Sequence, residues 1–129
     1  MIRGPAGDGR VAAVAIDDVA EVAAAVLRDP AAHAGATYHL TGPSAPTLHE
    51  VAEILSGAGC GPVRYVPETV EEAYASRAVY EAPSWQVDAW VSTYTAIGSG
   101  ELATVSDAVP RLTGRPATSL LTLAATLCR

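Results

Sequence analysis

An α/β fold that becomes all-helical toward its end is what the sequence predicts. Short β-branched or apolar runs alternate with stretches of helical spacing, Gly and Pro punctuate the junctions, and helix-capping sequences stand where the spacing changes. At 129 residues the chain suits one domain. Half of it is apolar, but 26 residues are Ala and Phe is absent, so its core must be built from Ala, Val and Leu. A domain of this length buries roughly two thirds of its unfolded surface, which permits a modest core.

The elements follow in order. Gly4-Pro5-Ala6-Gly7-Asp8-Gly9 reads as a turn-rich opening, and Val11 to Ile16 as a short apolar strand. Asp18 and Glu21 form a capping-box variant that starts a helix, with Val19, Val22, Ala23, Val26 and Leu27 on one face and Asp29-Pro30 as its stop. Thr37 to Leu40 is a second strand candidate, ending in Thr41-Gly42-Pro43. Thr47-Leu48-His49-Glu50 is a capping box for a second helix, whose inner face is Leu48, Val51, Ala52 and Leu55. Gly57, Gly59 and Gly61 end it, and Val63 to Val66 gives a third strand. Thr69-Val70-Glu71-Glu72 caps a third helix with Val70, Ala73 and Tyr74 inward. Ser84 starts a fourth, with Val87, Trp90, Val91 and Tyr94 inward. A short helix precedes Thr113-Gly114-Arg115-Pro116, and an apolar tail runs from Leu120 to Leu127, so the order is β-α-β-α-β-α-α-α.

Charge and composition exclude several function classes. Net charge is −6, the eight basic residues are all Arg, and they are scattered singly. Nucleic-acid backbones and anionic membrane surfaces both demand clustered positive charge, so neither is an expected partner. The longest apolar run, Val11 to Ile16, is far short of a bilayer span, and Met1-Ile2-Arg3-Gly4-Pro5 lacks the apolar stretch of a secretory signal. Cys60 and Cys128 form no C-x-x-C pair, and the expectation is of reduced thiols in a cytoplasmic protein.

Candidate chemistry is sparse. No Gly-x-Ser-x-Gly elbow occurs, and Cys60 has no evident His base. His49, Glu50 and Glu53 superficially resemble a helical zinc motif, but Glu53 stands where a second His is needed and Glu50 serves the helix cap. An exposed polar helix face accounts for them, as a solvated loop does for His33. Asp17 and Asp18 are adjacent, so their side chains diverge, and Asp18 is read as a structural helix cap. Trp90, Tyr94 and Tyr74 fit a core stripe, whereas Trp85 lies off it and is the better ligand or interface candidate.

The run Val14-Ala15-Ile16-Asp17-Asp18-Val19-Ala20-Glu21-Val22-Ala23 resembles a late strand-to-helix turn of atypical short-chain dehydrogenase/reductases. Tyr38-His39-Leu40-Thr41-Gly42-Pro43, the capped helix after it, and Pro62-Val63-Arg64-Tyr65-Val66-Pro67 are similar to the NmrA-like NAD(P)-binding branch. So are Gly98-Ser99-Gly100-Glu101 and Leu112-Thr113-Gly114-Arg115-Pro116. The resemblance implies the C-terminal part of a Rossmann-type fold, short strands with a mostly helical subdomain, without the N-terminal dinucleotide-binding half. It divides residues 1–129, a single partial domain, into a sheet-joining β-α-β segment, 1–46, and a substrate-side, mainly helical subdomain, 47–129.

In a complete member, this resemblance implies, hydride passes between NAD(P)H and a small-molecule acceptor. Ile16, Asp17, Trp85, Trp90 and Tyr94 are the candidates for lining the acceptor site. No catalytic, cofactor-binding or metal residue is assigned. Gly4, Gly7 and Gly9 precede a strand, and Gly57, Gly59 and Gly61 follow a helix, whereas a phosphate fingerprint joins a strand to a helix. A Tyr-x-x-x-Lys pair is impossible without Lys. The chain alone is therefore expected neither to bind NAD(P)H usefully nor to catalyse. Two other expectations stand beside this one: a non-catalytic module that docks on a protein partner or on itself through exposed strand edges, and a truncated reading frame with no separate role.

Overall fold

The computed structural model describes residues 1–128. Its order is β1 (Ile2–Gly4), α1 (Ile16–Arg28), α2 (Leu48–Gly57), β2 (Tyr65–Pro67), α3 (Val70–Arg77), a 3₁₀ turn (Ala78–Tyr80), α4 (Ser84–Gly98), α5 (Ala108–Thr113) and α6 (Leu120–Leu127). The fold is mixed α/β and helix-rich. β1 and β2 form a parallel two-stranded sheet in the register Ile2–Tyr65, Arg3–Val66 and Gly4–Pro67. Among the described residues, no helix is long and apolar enough to cross a membrane.

β1 precedes the turn-rich opening and was not expected, and the strands expected at Val11–Ile16 and Thr37–Leu40 do not form. Neither stretch joins a ladder, and the backbone bonds around the first are isolated. The Val11 N–H donates to Pro46 at 3.0 Å, that of Ala12 to Leu102 at 2.8 Å, and that of Gly42 to Ala12 at 3.4 Å. Extended backbone becomes a strand only when a neighbour runs alongside it. Gly42 permits the close approach, since a Cβ there would lie 2.4 Å from the Ala13 carbonyl oxygen.

The capping boxes at Thr47/Glu50 and Thr69/Glu72 both close as expected, with side chain and backbone exchanging bonds. Leu48 and Ala52 from α2 join Ala6, Tyr65 and Ile97 in the principal core cluster. The Tyr65 hydroxyl donates to the Gly4 carbonyl at 2.7 Å and accepts from the Ala6 N–H at 3.1 Å, pinning the turn after β1. α3 buries Ala73, but Val70 and Tyr74 are exposed, because Tyr74 reaches outward to Asp88 at 2.8 Å. Pro83, not Ser84, precedes α4 as its cap residue. His33, read as solvated, is half-buried and bonds the Tyr38 hydroxyl at 2.7 Å. The apolar tail is a helix, α6, capped by Ser119.

Asp18 is not a helix cap. α1 begins two residues earlier, at Ile16, and the Asp18 carboxylate turns into the interior, wholly buried. It accepts from the Thr118 N–H at 2.7 Å, the Thr118 hydroxyl at 2.8 Å and Arg115 Nη2 at 2.9 Å. Arg115 also donates to Glu21 at 2.6 Å. Of the face expected to be inward on α1, Val22 is buried, Val19 and Ala23 are exposed, and Leu27 is 76% exposed.

Cys60 and Cys128 are joined as a disulfide, with their Cα atoms 4.8 Å apart, which corrects the expectation of free thiols. Their separation of 68 residues hid this from the sequence: the glycine-rich end of α2 and the end of α6 meet only in the folded chain.

Burial pushes the Asp18 carboxyl pKa up, but the Thr118 and Arg115 donors outweigh it and hold the group below the ordinary aspartate range. A depressed native pKa adds stability above the unfolded value that disappears as pH falls through the native one. Chemical denaturation should accordingly show stability falling once pH drops below the ordinary Asp range, and D18N should remove part of that slope. Deleting one partner of such a buried pair costs about 3–5 kcal/mol, whereas exposed Asp17→Asn should stay within about 0.5 kcal/mol.

Candidate functional site

α3, the 3₁₀ turn and α4 enclose an open groove of about 470 Å³, walled by Arg77, Tyr80, Trp90, Thr93 and Tyr94. Trp90 and Tyr94 lie one turn apart on α4, so both rings face the same side. Tyr80 meets Trp90 edge-on, with ring centroids 5.8 Å apart. Of the five residues singled out in the sequence, the groove brings Trp90 and Tyr94 together. Both are half-buried, so they do more than fill the core. Ile16 and Asp17 stand exposed at the start of α1, outside the groove, and Trp85 is 69% exposed at the start of α4, also outside it.

Behind the groove lies a charged network that spacing alone did not reveal. The Glu68 side chain is almost wholly buried beside β2 and pairs with Arg3 at 2.7 Å and Arg77 at 3.1 Å. Arg77 Nη1 also donates to the Ala73 carbonyl at 2.9 Å, and Nη2 to the Arg3 carbonyl at 3.0 Å. Its guanidinium carbon sits 5.4 Å from the centre of the Tyr94 ring. Arg77 therefore positions Tyr94, and its donors are already engaged with protein acceptors. Burial raises the Glu68 pKa, but Ser76, the two arginines and their charges bring it below the usual glutamate range. The signal for this network was available only as Arg77 placed late in a short helix, a position normally read as a solvated end.

Neither the segment after β1 nor the first turns of α1, α2 and α3 suit the phosphates of a dinucleotide. β1 leads into a turn and an extended segment before α1 begins, so no glycine turn joins strand to helix there. The first turns of α1, α2 and α3 carry Asp17 and Asp18, Glu50, and Glu71 and Glu72 respectively. A helix N-terminus filled by carboxylates repels a phosphate rather than holding it. His49 packs edge-on against Tyr65 at 4.9 Å, and Glu50 closes its cap while taking Arg10 at 3.2 Å.

No family model matches the chain. An NAD(P)H azoreductase from Xenophilus azovorans is 40% identical over 113 residues, covering 88% of this chain and 39% of that protein. Quinone oxidoreductase 2 of Escherichia coli is 31% identical over 117 residues, covering 91% and 41%. The chain belongs with the NmrA-like NAD(P)-dependent reductases and matches their C-terminal part. It spans about two fifths of the length of these curated relatives. Among solved reductases, the E. coli quinone oxidoreductase complexed with NADPH superposes with a TM-score of 0.85 at 28% identity, over 98% of this chain and 44% of that one. The Citrobacter triphenylmethane reductase complexed with NADP(H) gives 0.83 at 29% identity, over 99% and 44%.

A Cβ at Gly4 would lie 2.4 Å from Cδ1 of Tyr94, so this glycine fixes how deeply the ring seats. Gly4→Ala should cost about 1–3 kcal/mol in thermal unfolding and alter the near-UV tyrosine signal. Gly57→Ala meets open space at the end of α2 and should stay within about 1 kcal/mol.

Proposed function

We propose that this chain forms the acceptor side of an NAD(P)H-dependent reductase or redox-sensing relative, and that it neither holds the dinucleotide nor turns over by itself. The groove walled by Trp90 and Tyr94 carries this reading. A groove walled by aromatic rings favours a flat, electron-poor ring system. The azoreductase and quinone oxidoreductase relatives are named for acceptors of that kind. The work of these residues is to bind and orient: Trp90 and Tyr94 line the acceptor's side of the groove, Tyr80 closes one flank, and Arg77 holds Tyr94 in place without spending a donor on the ligand. The nicotinamide, when bound elsewhere in the complete fold, supplies the hydride.

Ile16 and Asp17 have a different place in this proposal. In this reading a dinucleotide-binding half covers the exposed apolar stripe that Ile16, Val19, Ala23 and Leu27 form on α1, with Asp17 exposed beside it. That uncovered stripe also supports a second reading, in which α1 docks on a protein partner or a second copy. Light scattering coupled to size exclusion separates them: a stable dimer abolished by Leu27→Glu favours docking between copies, and a monomer disfavours it.

Calorimetric titration of the purified chain with NADPH should show no binding in the micromolar range. Tryptophan fluorescence should nevertheless be quenched by a small quinone, and Trp90→Leu should weaken that quenching several-fold while Trp85→Leu leaves it nearly intact. Micromolar NADPH binding, or quenching that survives Trp90→Leu but not Trp85→Leu, would contradict the proposal.

A further inference from the structure

α6 is held at its two ends by different chemistry. Its start is fixed by the Ser119 cap and by the two bonds from Thr118 to buried Asp18. Its end is fixed by the Cys60–Cys128 bond to the loop that follows α2. Between these points Ala124 is fully buried, Leu120, Leu123 and Ala125 are half-buried, and Leu121 and Leu127 are exposed. Leu120 and Leu123 face a recess of about 240 Å³ whose opposite wall includes Leu48 and Val51 of α2 and Val11 and Val14 of the extended segment. An eight-residue helix has little intrinsic stability in water, so its fixation must come from these anchors.

The loop bearing Cys60 turns on two left-handed glycines just beyond α2. Gly59 and Gly61 both adopt positive φ, +92° and +79°, and a Cβ at Gly61 would meet open space. The Cys60 N–H closes the end of α2 through the Leu55 carbonyl at 3.2 Å, so α2 keeps its own termination whichever state the sulfur is in. Both cysteines are half-buried, within reach of a small reductant.

We propose that Cys60 and Cys128 are a reversible redox pair that decides whether α6 stays on α2 as the wall of this recess. A dithiol reductant attacks one of the two sulfurs as a thiolate, and the Cys60–Cys128 bond breaks as a mixed disulfide forms. The second thiol of the reductant then displaces the protein sulfur. The reductant leaves as its own disulfide, and two electrons and two protons remain on Cys60 and Cys128 as thiols. With that anchor gone, α6 pivots on the Asp18–Thr118 bonds and the recess opens between Leu123 and Val51.

Hydrogen exchange read by mass spectrometry tests this on the whole chain, oxidised and after reduction with dithiothreitol, with thiol titration confirming each state. The amides of 120–127 should exchange about tenfold faster on reduction, while those of α1, α3 and α4 keep their protection. The double variant C60S/C128S should match the reduced protein and ignore dithiothreitol, which separates loss of the bond from side effects of the reductant. Unchanged exchange in α6 after confirmed reduction would overturn the proposal. So would a uniform rise across all helices, which marks a bond that holds the entire fold, or two titratable thiols in protein kept from reductant.

Discussion

Asp18 carries a negative charge wholly removed from solvent, and donors from Arg115 and Thr118, about a hundred residues further on, compensate it. Much of the architecture leans on that compensation. α1 buries only Asp18 and Val22 completely, too little apolar surface to seat a thirteen-residue helix. What seats it is contact with α5 and the polar clasp to the segment beyond it. The same clasp fixes the start of α6, and through α6 the wall of the apolar recess. A buried charge with all its partners in place specifies one arrangement, because every competing arrangement leaves it uncompensated.

A second polar cluster does comparable work on the other side of the molecule. Glu68 joins Arg3 of β1 and Arg77 of α3, and Arg77 reaches under Tyr94 of α4. A core poor in aromatics and rich in Ala needs such connections, since small side chains interlock weakly. The consequence is a groove in which Tyr94 is positioned from behind by charge. The acidic first turns of α1, α2 and α3 point the same way: they stabilise their helices and turn away phosphate.

Local chemistry was legible in the sequence where it was self-contained. The boxes at Thr47/Glu50 and Thr69/Glu72, the stop at Asp29-Pro30 and the Gly termination of α2 are each decided within a few residues, and each formed. Strands were not legible in this way. Val11–Ile16 and Thr37–Leu40 have strand composition but lack the flanking strands that create a ladder, whereas Ile2–Gly4, too short to stand out in the sequence, pairs because β2 lies beside it. Asp18 has the sequence context of a cap, and only the distant Thr118 shows that it is a buried anchor. The pairing of Cys60 with Cys128 was hidden for the same reason. Within the groove, the one-turn spacing of Trp90 and Tyr94 was visible, but the support from Arg77 was not.

We propose a division of labour: these residues present an acceptor, and other residues of the complete fold hold the reducing equivalent. Steady-state oxidation of NADPH by the purified chain, with a small quinone in excess, tests it most directly. The account predicts a rate no greater than that of NADPH and quinone mixed without protein. A protein-dependent rate that saturates with NADPH and falls with Trp90→Leu would contradict it.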